Sequence, residues 1–169
     1  MTLIQILSGT AGILILAAAG TMLLPRHVHV ERQAMISKPA QEVIARASSS
    51  AGYQTFNPYL TADPALKIEP FGPDQGVGAA FRFDGKDGTG TQTVAEVTES
   101  SVRYDIDLGP MGKPTQRIEA TPISGGTRVV WSMDADMGFN PIGRVMGLFM
   151  DGMIGKTFEQ GLKNLDKAA

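Results

Sequence analysis

From Leu3 to Leu24 the chain carries no charged residue, and this run constrains the organisation of the protein more than any other feature. At a rise of about 1.5 Å per residue, roughly 22 residues make a helix of about 33 Å, enough to cross a hydrocarbon core of about 30 Å with little tilt. Leucines and isoleucines such as Leu3, Ile4, Ile13, Leu16 and Leu24 favour insertion, opposed by Gln5, Ser8, Thr10 and the glycines. A cleavable secretory signal competes, because Ala17, Ala18, Ala19 and Gly20 form a small-residue cluster. However, no basic segment precedes the run, and Leu23 and Leu24 continue it past the cluster. The expected organisation is a transmembrane anchor over residues 1–25, with the membrane span itself at 3–24, and a separate domain over 26–169. Arg26 and Arg32 follow the run while no Lys or Arg precedes it, so the positive-inside tendency favours a cytoplasmic domain.

Composition narrows what that domain does. A formal net charge of −2, with both signs interspersed, offers no electrostatic footprint for nucleic acid. The absence of cysteine excludes disulfides, thiolate metal sites and a cysteine nucleophile. The two histidines, His27 and His29, lie beside the apolar run, with only Glu31 as a nearby carboxylate and no HExxH spacing. No metal site, cofactor or serine triad is therefore expected. The glycine-rich stretch from Asp84 to Thr91 fits neither a Walker loop nor an EF-hand and reads as a tight hairpin.

Local patterns predict a strand from His27 to Ser37 and a short helix from Pro39 to Ser49, with Val43, Ile44 and Ala47 on its apolar side and Ser37 as its candidate N-cap. A further helical turn falls near Tyr53 to Pro58. Turn signals then recur at Gly72 with Pro73, Gly85 to Gly90, Glu99 to Ser101, Gly109 to Pro114 and Ser124 to Gly126. Between them, Phe81 and Phe83, then Tyr104, Ile106 and Leu108, then Val129, Trp131 and Met133 alternate with Arg82, Arg103, Asp105, Arg128 and Asp134, as in strands of a sheet with one apolar face. From Pro141 to about Lys167 the period becomes helical. Ile142, Val145, Met146, Phe149, Met150, Met153, Ile154, Phe158, Leu162 and Leu165 predict one broad stripe covering that face. Five glycines lie inside this helix, each costing about 0.5 to 1 kcal/mol relative to alanine, so close packing, a mobile lid or a break near Gly152 is expected to account for them.

This order of elements is that of an α+β helix-grip fold, a curved antiparallel sheet wrapped around a long C-terminal helix. Several phrases also resemble the SRPBCC superfamily, which includes START lipid-transfer, birch-pollen-allergen-like and polyketide cyclase/dehydratase-like domains. They are Ser37-Lys38-Pro39-Ala40-Gln41-Glu42-Val43, Gly76-Val77-Gly78-Ala79, Gly126-Thr127-Arg128-Val129-Val130-Trp131 and Phe158-Glu159-Gln160-Gly161-Leu162. Two positions where such proteins often carry tryptophan are occupied by other aromatics: Tyr53, Phe56 and Tyr59 after the first helix, and Phe83 in the following strand.

The resemblance implies a cavity between sheet and C-terminal helix, walled by Phe81, Phe83, Tyr104, Trp131, Met133, Met146, Met150 and Met153. The leading expectation is a membrane-anchored domain that binds a hydrophobic small molecule or lipid there without chemistry. The alternatives are a cyclase/dehydratase-like enzyme in which Tyr104 is the proton donor, with Tyr53 and Tyr59 near the mouth, and a protein-interaction module.

Overall fold

A computed structural model describes residues 20–168. The span expected at 3–24 lies almost wholly outside the described residues, and among the latter no helix is long and apolar enough to cross a membrane.

Seven strands form one antiparallel sheet: β1 (His27–Ile36), β2 (Lys67–Phe71), β3 (Ala80–Gly85), β4 (Gly88–Val97), β5 (Ser101–Asp107), β6 (Thr115–Ile123) and β7 (Gly126–Asp136). Their spatial order is β1-β7-β6-β5-β4-β3-β2. From β2 to β7 the sheet is a meander, since neighbours in sequence are neighbours in space. β1 closes the far edge, pairing with β7 from His27 opposite Asp136 to Ile36 opposite Thr127.

The turns fall where the glycine signals put them. Ile123 pairs with Gly126 across a two-residue loop whose second residue, Gly125, has a φ of 86°, a conformation in which a side chain would be strained. Gly85 likewise pairs with Gly88 in the β3–β4 hairpin.

Among the described residues four α-helices lie between or after the strands: α1 (Ala40–Ala47), α2 (Ser50–Gln54), α3 (Pro58–Ala62) and α4 (Pro141–Lys167). The expected apolar side of α1 is buried through Val43, Ile44 and Ala47. Its N-cap is Pro39, with no capping side chain. Ser37, expected there, instead donates through both its backbone N–H and its hydroxyl to Asp166 near the end of α4, at 2.8 and 2.9 Å. Two short helices replace the one turn expected after α1, because Ser49 and Asn57 each cap a new helix with a side-chain oxygen.

Strand alternation gives a single core. Val30, Tyr104, Ile118, Val129 and Trp131 are buried on the inner face, while Arg82, Asp105, Arg128 and Asp134 are exposed on the other. Helix α4 is continuous across Gly152, and it lies mainly along the edge strand β1 rather than over the centre of the sheet. Its C-terminal half is anchored by burial of Phe158, Leu162 and Leu165, each contributing about 1.5 to 3 kcal/mol. The Phe158 ring stacks on Trp131 with centroids 4.8 Å apart and planes 12° apart.

The single broad stripe expected on α4 is not what the helix presents. Ile154, Phe158, Leu162 and Leu165 turn inward, but Ile142, Val145, Met146, Phe149 and Met153 turn outward and are exposed. Residues of small size take the inward positions instead. A methyl group on Gly147 would lie 2.9 Å from Val28, one on Gly155 would overlap the Arg32 guanidinium, and one on Gly161 would overlap the Trp131 ring. Close approach to the sheet is therefore what these three glycines supply.

The rotation of α4 is held by Arg32, an inward-facing residue of β1. Its guanidinium donates to the Asp151 carboxylate at 2.8 and 3.1 Å, to the Asp151 carbonyl at 3.1 Å and to Glu159 at 3.1 Å. The hydrogen bonds from Arg32 hold the Asp151 carboxyl below the usual carboxylate range, against a smaller opposing effect of burial.

A closed aromatic interior as the candidate functional site

The candidate site is built by the corner between α1 and α2. Gly52 presses so closely on the Arg46 carbonyl of α1 that no side chain fits between them, and Ser49 caps α2 by accepting from the Gly52 N–H at 3.2 Å. That corner drops Tyr53 onto the inner face of the sheet.

Tyr53 stands at the centre of an aromatic cluster, with ring centroids 4.9 Å from Phe56, 5.5 Å from Phe81, 5.6 Å from Tyr104 and 6.0 Å from Trp131. It is only 2% exposed, so it forms the heart of the interior rather than the mouth where it was expected. Beside it lies a cavity of about 10 Å³ whose walls include Ala47, Ser50, Tyr53, Phe81, Gln92 and Tyr104, room for roughly one water molecule.

Three of these walls carry polar atoms that are buried without a hydrogen-bond partner among the described residues: Ser50 Oγ, the Tyr53 hydroxyl and Gln92 Nε2. Burial, and secondarily the nearby Tyr59, pushes the Tyr53 pKa well up, so the hydroxyl stays protonated. Gln92 lies near enough to offset this slightly, yet neither group completes a well-formed hydrogen bond with the other. Buried groups of this kind cost about 1 to 3 kcal/mol each and are uncommon in native interiors.

Tyr104 is differently engaged. Its hydroxyl donates to the carbonyl of Ala47, the last residue of α1, at 2.7 Å, and burial followed by the neighbouring Tyr53 raises its pKa well above the ordinary value. Its proton is thus committed to tying helix to sheet. Trp131 is fully buried, and its indole N–H donates to Gln116 Oε1 at 3.0 Å.

The other residues expected on the cavity wall divide. Phe81 borders the cavity, and Met133 is buried in the core. Phe83 is half-buried, with its ring 6.4 Å from that of Phe81. Met150 is half-buried against the core, whereas Met146 and Met153 are 49% and 60% exposed and belong to the outer face of α4. The orientation set by Arg32 and the inward glycines takes them off the interior wall. The polarity of Ser50 and Gln92 looks ordinary in the order of residues and becomes notable only because the fold buries them. The alternation of Gln92 with Val94 on β4 is the one local signal for it.

A second concavity, open and about 600 Å³ in volume, lies on the other side of the same corner. It runs between α1, at Ala40, Ile44 and Ser48, and the strand ends at Val97, Ala120 and Pro122. Its size is in the range of small-molecule sites. The segment Ala47–Ser50 contributes to the walls of both spaces.

Near the start of β1, His29 Nδ1 lies 2.7 Å from Asp134 on β7, and its Nε2 lies 3.7 Å from Glu31. Among the described residues no cluster of three or more His, Cys, Asp or Glu side chains is placed to hold a metal ion.

These features define a helix-grip domain with an aromatic, polar-tipped interior. The chain belongs to the polyketide cyclase/dehydrase and lipid transport family, whose profile it matches over residues 27–169. No curated protein matches the chain. Among solved structures it is similar to protein CV1439 from Chromobacterium violaceum, at 14% identity and a TM-score of 0.61, covering 83% of this chain and 96% of that one. It is also similar to truncated norcoclaurine synthase from Thalictrum flavum, at 16% identity and a TM-score of 0.61, with coverage of 81% and 92%. A third is StfQ, a di-domain ARO/CYC from the steffimycin biosynthetic pathway, at 12% identity and a TM-score of 0.61, covering 85% of this chain and 50% of StfQ. At these identities the likeness is one of fold.

Proposed function

We propose that the domain binds a small hydrophobic molecule bearing a polar group, in an interior that widens from the cavity beside Tyr53, and that the run Leu3–Leu24 holds it at a membrane where such molecules concentrate. The observation that carries this reading is the meeting of three unpartnered polar atoms, on Ser50, Tyr53 and Gln92, within an aromatic enclosure. A ligand with one or two hydrogen-bonding atoms on an apolar frame supplies what those atoms lack. The Ala47–Ser50 corner borders both that enclosure and the open cleft, and is the proposed route of entry. Family membership supports a hydrophobic small molecule as the ligand class, and Arg26 after the apolar run supports a cytoplasmic domain.

The test is native mass spectrometry of the full chain extracted from membranes, paired with the emission of its single tryptophan, Trp131, which stands 6.0 Å from Tyr53. An apolar species should accompany the wild-type protein, and Tyr53→Phe and Gln92→Leu should each lower its occupancy, by about two- to tenfold in affinity. If the wild type carries no such species, and an organic extract of the membranes leaves Trp131 emission unchanged, the reading is wrong.

The enzyme reading survives in one specific form. Tyr53, protonated and unpartnered, is better placed to donate a proton than Tyr104, whose hydroxyl already bonds to Ala47. In that case Tyr53→Phe abolishes turnover while the response of Trp131 to the bound species persists.

A further inference from the structure

Helix α4 changes character along its outer side. Ile142, Val145, Met146, Phe149 and Met153 are spaced as one face of a helix and are all exposed, Ile142 at 75% and Phe149 at 60%. Beyond Gly155 the exposed positions become Lys156, Glu159 and Lys163. The first half therefore turns apolar side chains outward and Gly147 and Gly155 inward, the reverse of a helix whose outer face meets only water.

That face is also next to the end of the apolar run. Arg144, only 6% exposed, donates to the carbonyls of Met22 at 2.6 Å and Leu24 at 3.2 Å, and to that of Gly138 at 2.9 Å. One arginine so clamps the end of the run to the first turn of α4. Leu23, 90% exposed, and Phe139, 77% exposed, extend the apolar surface, and the Arg26 and Arg144 guanidinium groups lie 5.5 and 6.0 Å from the Phe139 ring centre.

From Pro141 to Met150, Arg144 is the one charged residue, and it is buried among carbonyls. The carboxylates at the border, Asp136 and Asp151, are each paired with an arginine, Arg26 and Arg32.

We infer that the outer face of α4 from Ile142 to Met153, with Leu23 and Phe139, is seated in the interfacial layer of a lipid bilayer. The inference rests on the membrane tether proposed above. Patches of this kind on a monomeric surface mark contact sites, and a helix apolar on its outward side embeds about 5 to 10 Å into the boundary between headgroups and acyl chains. Lipid is a better occupant than the chain's own N-terminal run. That run has no charged residue on any side, so laying it on α4 would cover one of its faces and leave the others in water, whereas a bilayer covers run and helix together. The change to charged residues after Gly155 tips the C-terminal half of α4 out of the layer, toward the aromatic interior that Phe158 and Trp131 close.

The test exploits the absence of cysteine. Single cysteines are introduced in the full chain at Ile142→Cys, Phe149→Cys, Met35→Cys on the outer side of β1, and Leu14→Cys within the apolar run. Each is spin-labelled in nanodiscs of phosphatidylcholine with phosphatidylglycerol. Labels at positions 142 and 149 should collide more with oxygen, which concentrates in lipid, than with an aqueous nickel chelate, and the label at position 35 should show the reverse. Labels at 142 and 149 that behave like the one at 35 overturn the inference. So do labels shielded from both agents, which would mean that a second copy, a protein partner or the chain's own run covers the face. The label at position 14 reports the tether separately: an aqueous signal there ends the tether reading, whatever α4 does.

Discussion

Gly161 of α4 faces the six-membered ring of Trp131 so closely that even a methyl group has no room between them. Because Trp131 is fully buried, stacked on Phe158 and bonded to Gln116, the ring has nowhere to move. Gly161→Ala should destabilise the domain by about 1 to 3 kcal/mol through overpacking. Gly152→Ala is the control, since nothing lies within 4 Å of the added methyl, and it should stabilise by about 0.5 to 1 kcal/mol through helix propensity. Urea unfolding of the two variants checks the contrast, and equal effects would show that the helix does not approach the sheet at Trp131.

Two buried tyrosines 5.6 Å apart should respond oppositely to loss of a hydroxyl. Tyr104→Phe leaves the Ala47 carbonyl without its donor and should cost about 1 to 3 kcal/mol. Tyr53→Phe removes a hydroxyl that has no partner and should leave stability unchanged or raised. Thermal unfolding of both variants without added ligand decides the matter.

Replacing Arg32 with Met should loosen the first half of α4 and spare the second. Asp151 and Glu159 lose their shared cation, while Phe158, Leu162 and Leu165 keep their burial. Hydrogen exchange should accelerate at amides 145–154 but not in β5 and β6. Asp151→Asn should mimic the change more fully than Glu159→Gln, because Asp151 accepts through both carboxylate oxygens. Uniform protection across α4 in the Arg32 variant would deny that residue its role.

The pair of His29 and Asp134 should make stability depend on pH. Its hydrogen bond to Asp134 raises the His29 pKa above the ordinary value, partly offset by burial. The protonated, paired form is favoured in the folded state, so the stabilisation is complete below about pH 6.5 and is lost as pH rises through the raised folded value. Melting temperature followed from pH 5.5 to 9 should fall over that window in the wild type and fall less in Asp134→Asn. Identical profiles would remove the pair from the account.

Much of the sheet is legible without coordinates because its determinants are local. Phe81 with Phe83, Tyr104 with Ile106, and Val129 with Trp131 and Met133 must share a face once the backbone is extended. Gly88, Gly109 and Gly125 mark turns because few other residues adopt their positive φ angles. The candidate site was less legible. Tyr53 looks like a loop aromatic until the Gly52 contact with Arg46 drops it into the core, and Ser50 and Gln92 become notable only when buried without partners.

The helical extent of Pro141 to Lys167 and the apolar run from Leu3 to Leu24 are written in the order of residues, since periodicity and the lack of charge need no partner to be read. Which side of α4 meets the sheet was decided only by tertiary contacts. A helix with leucines, isoleucines and methionines on several sides has no unique inner face. Arg32, 119 residues away from Asp151, and the room that only glycines leave for Val28, Arg32 and Trp131 selected one rotation and turned Ile142, Met146 and Phe149 outward.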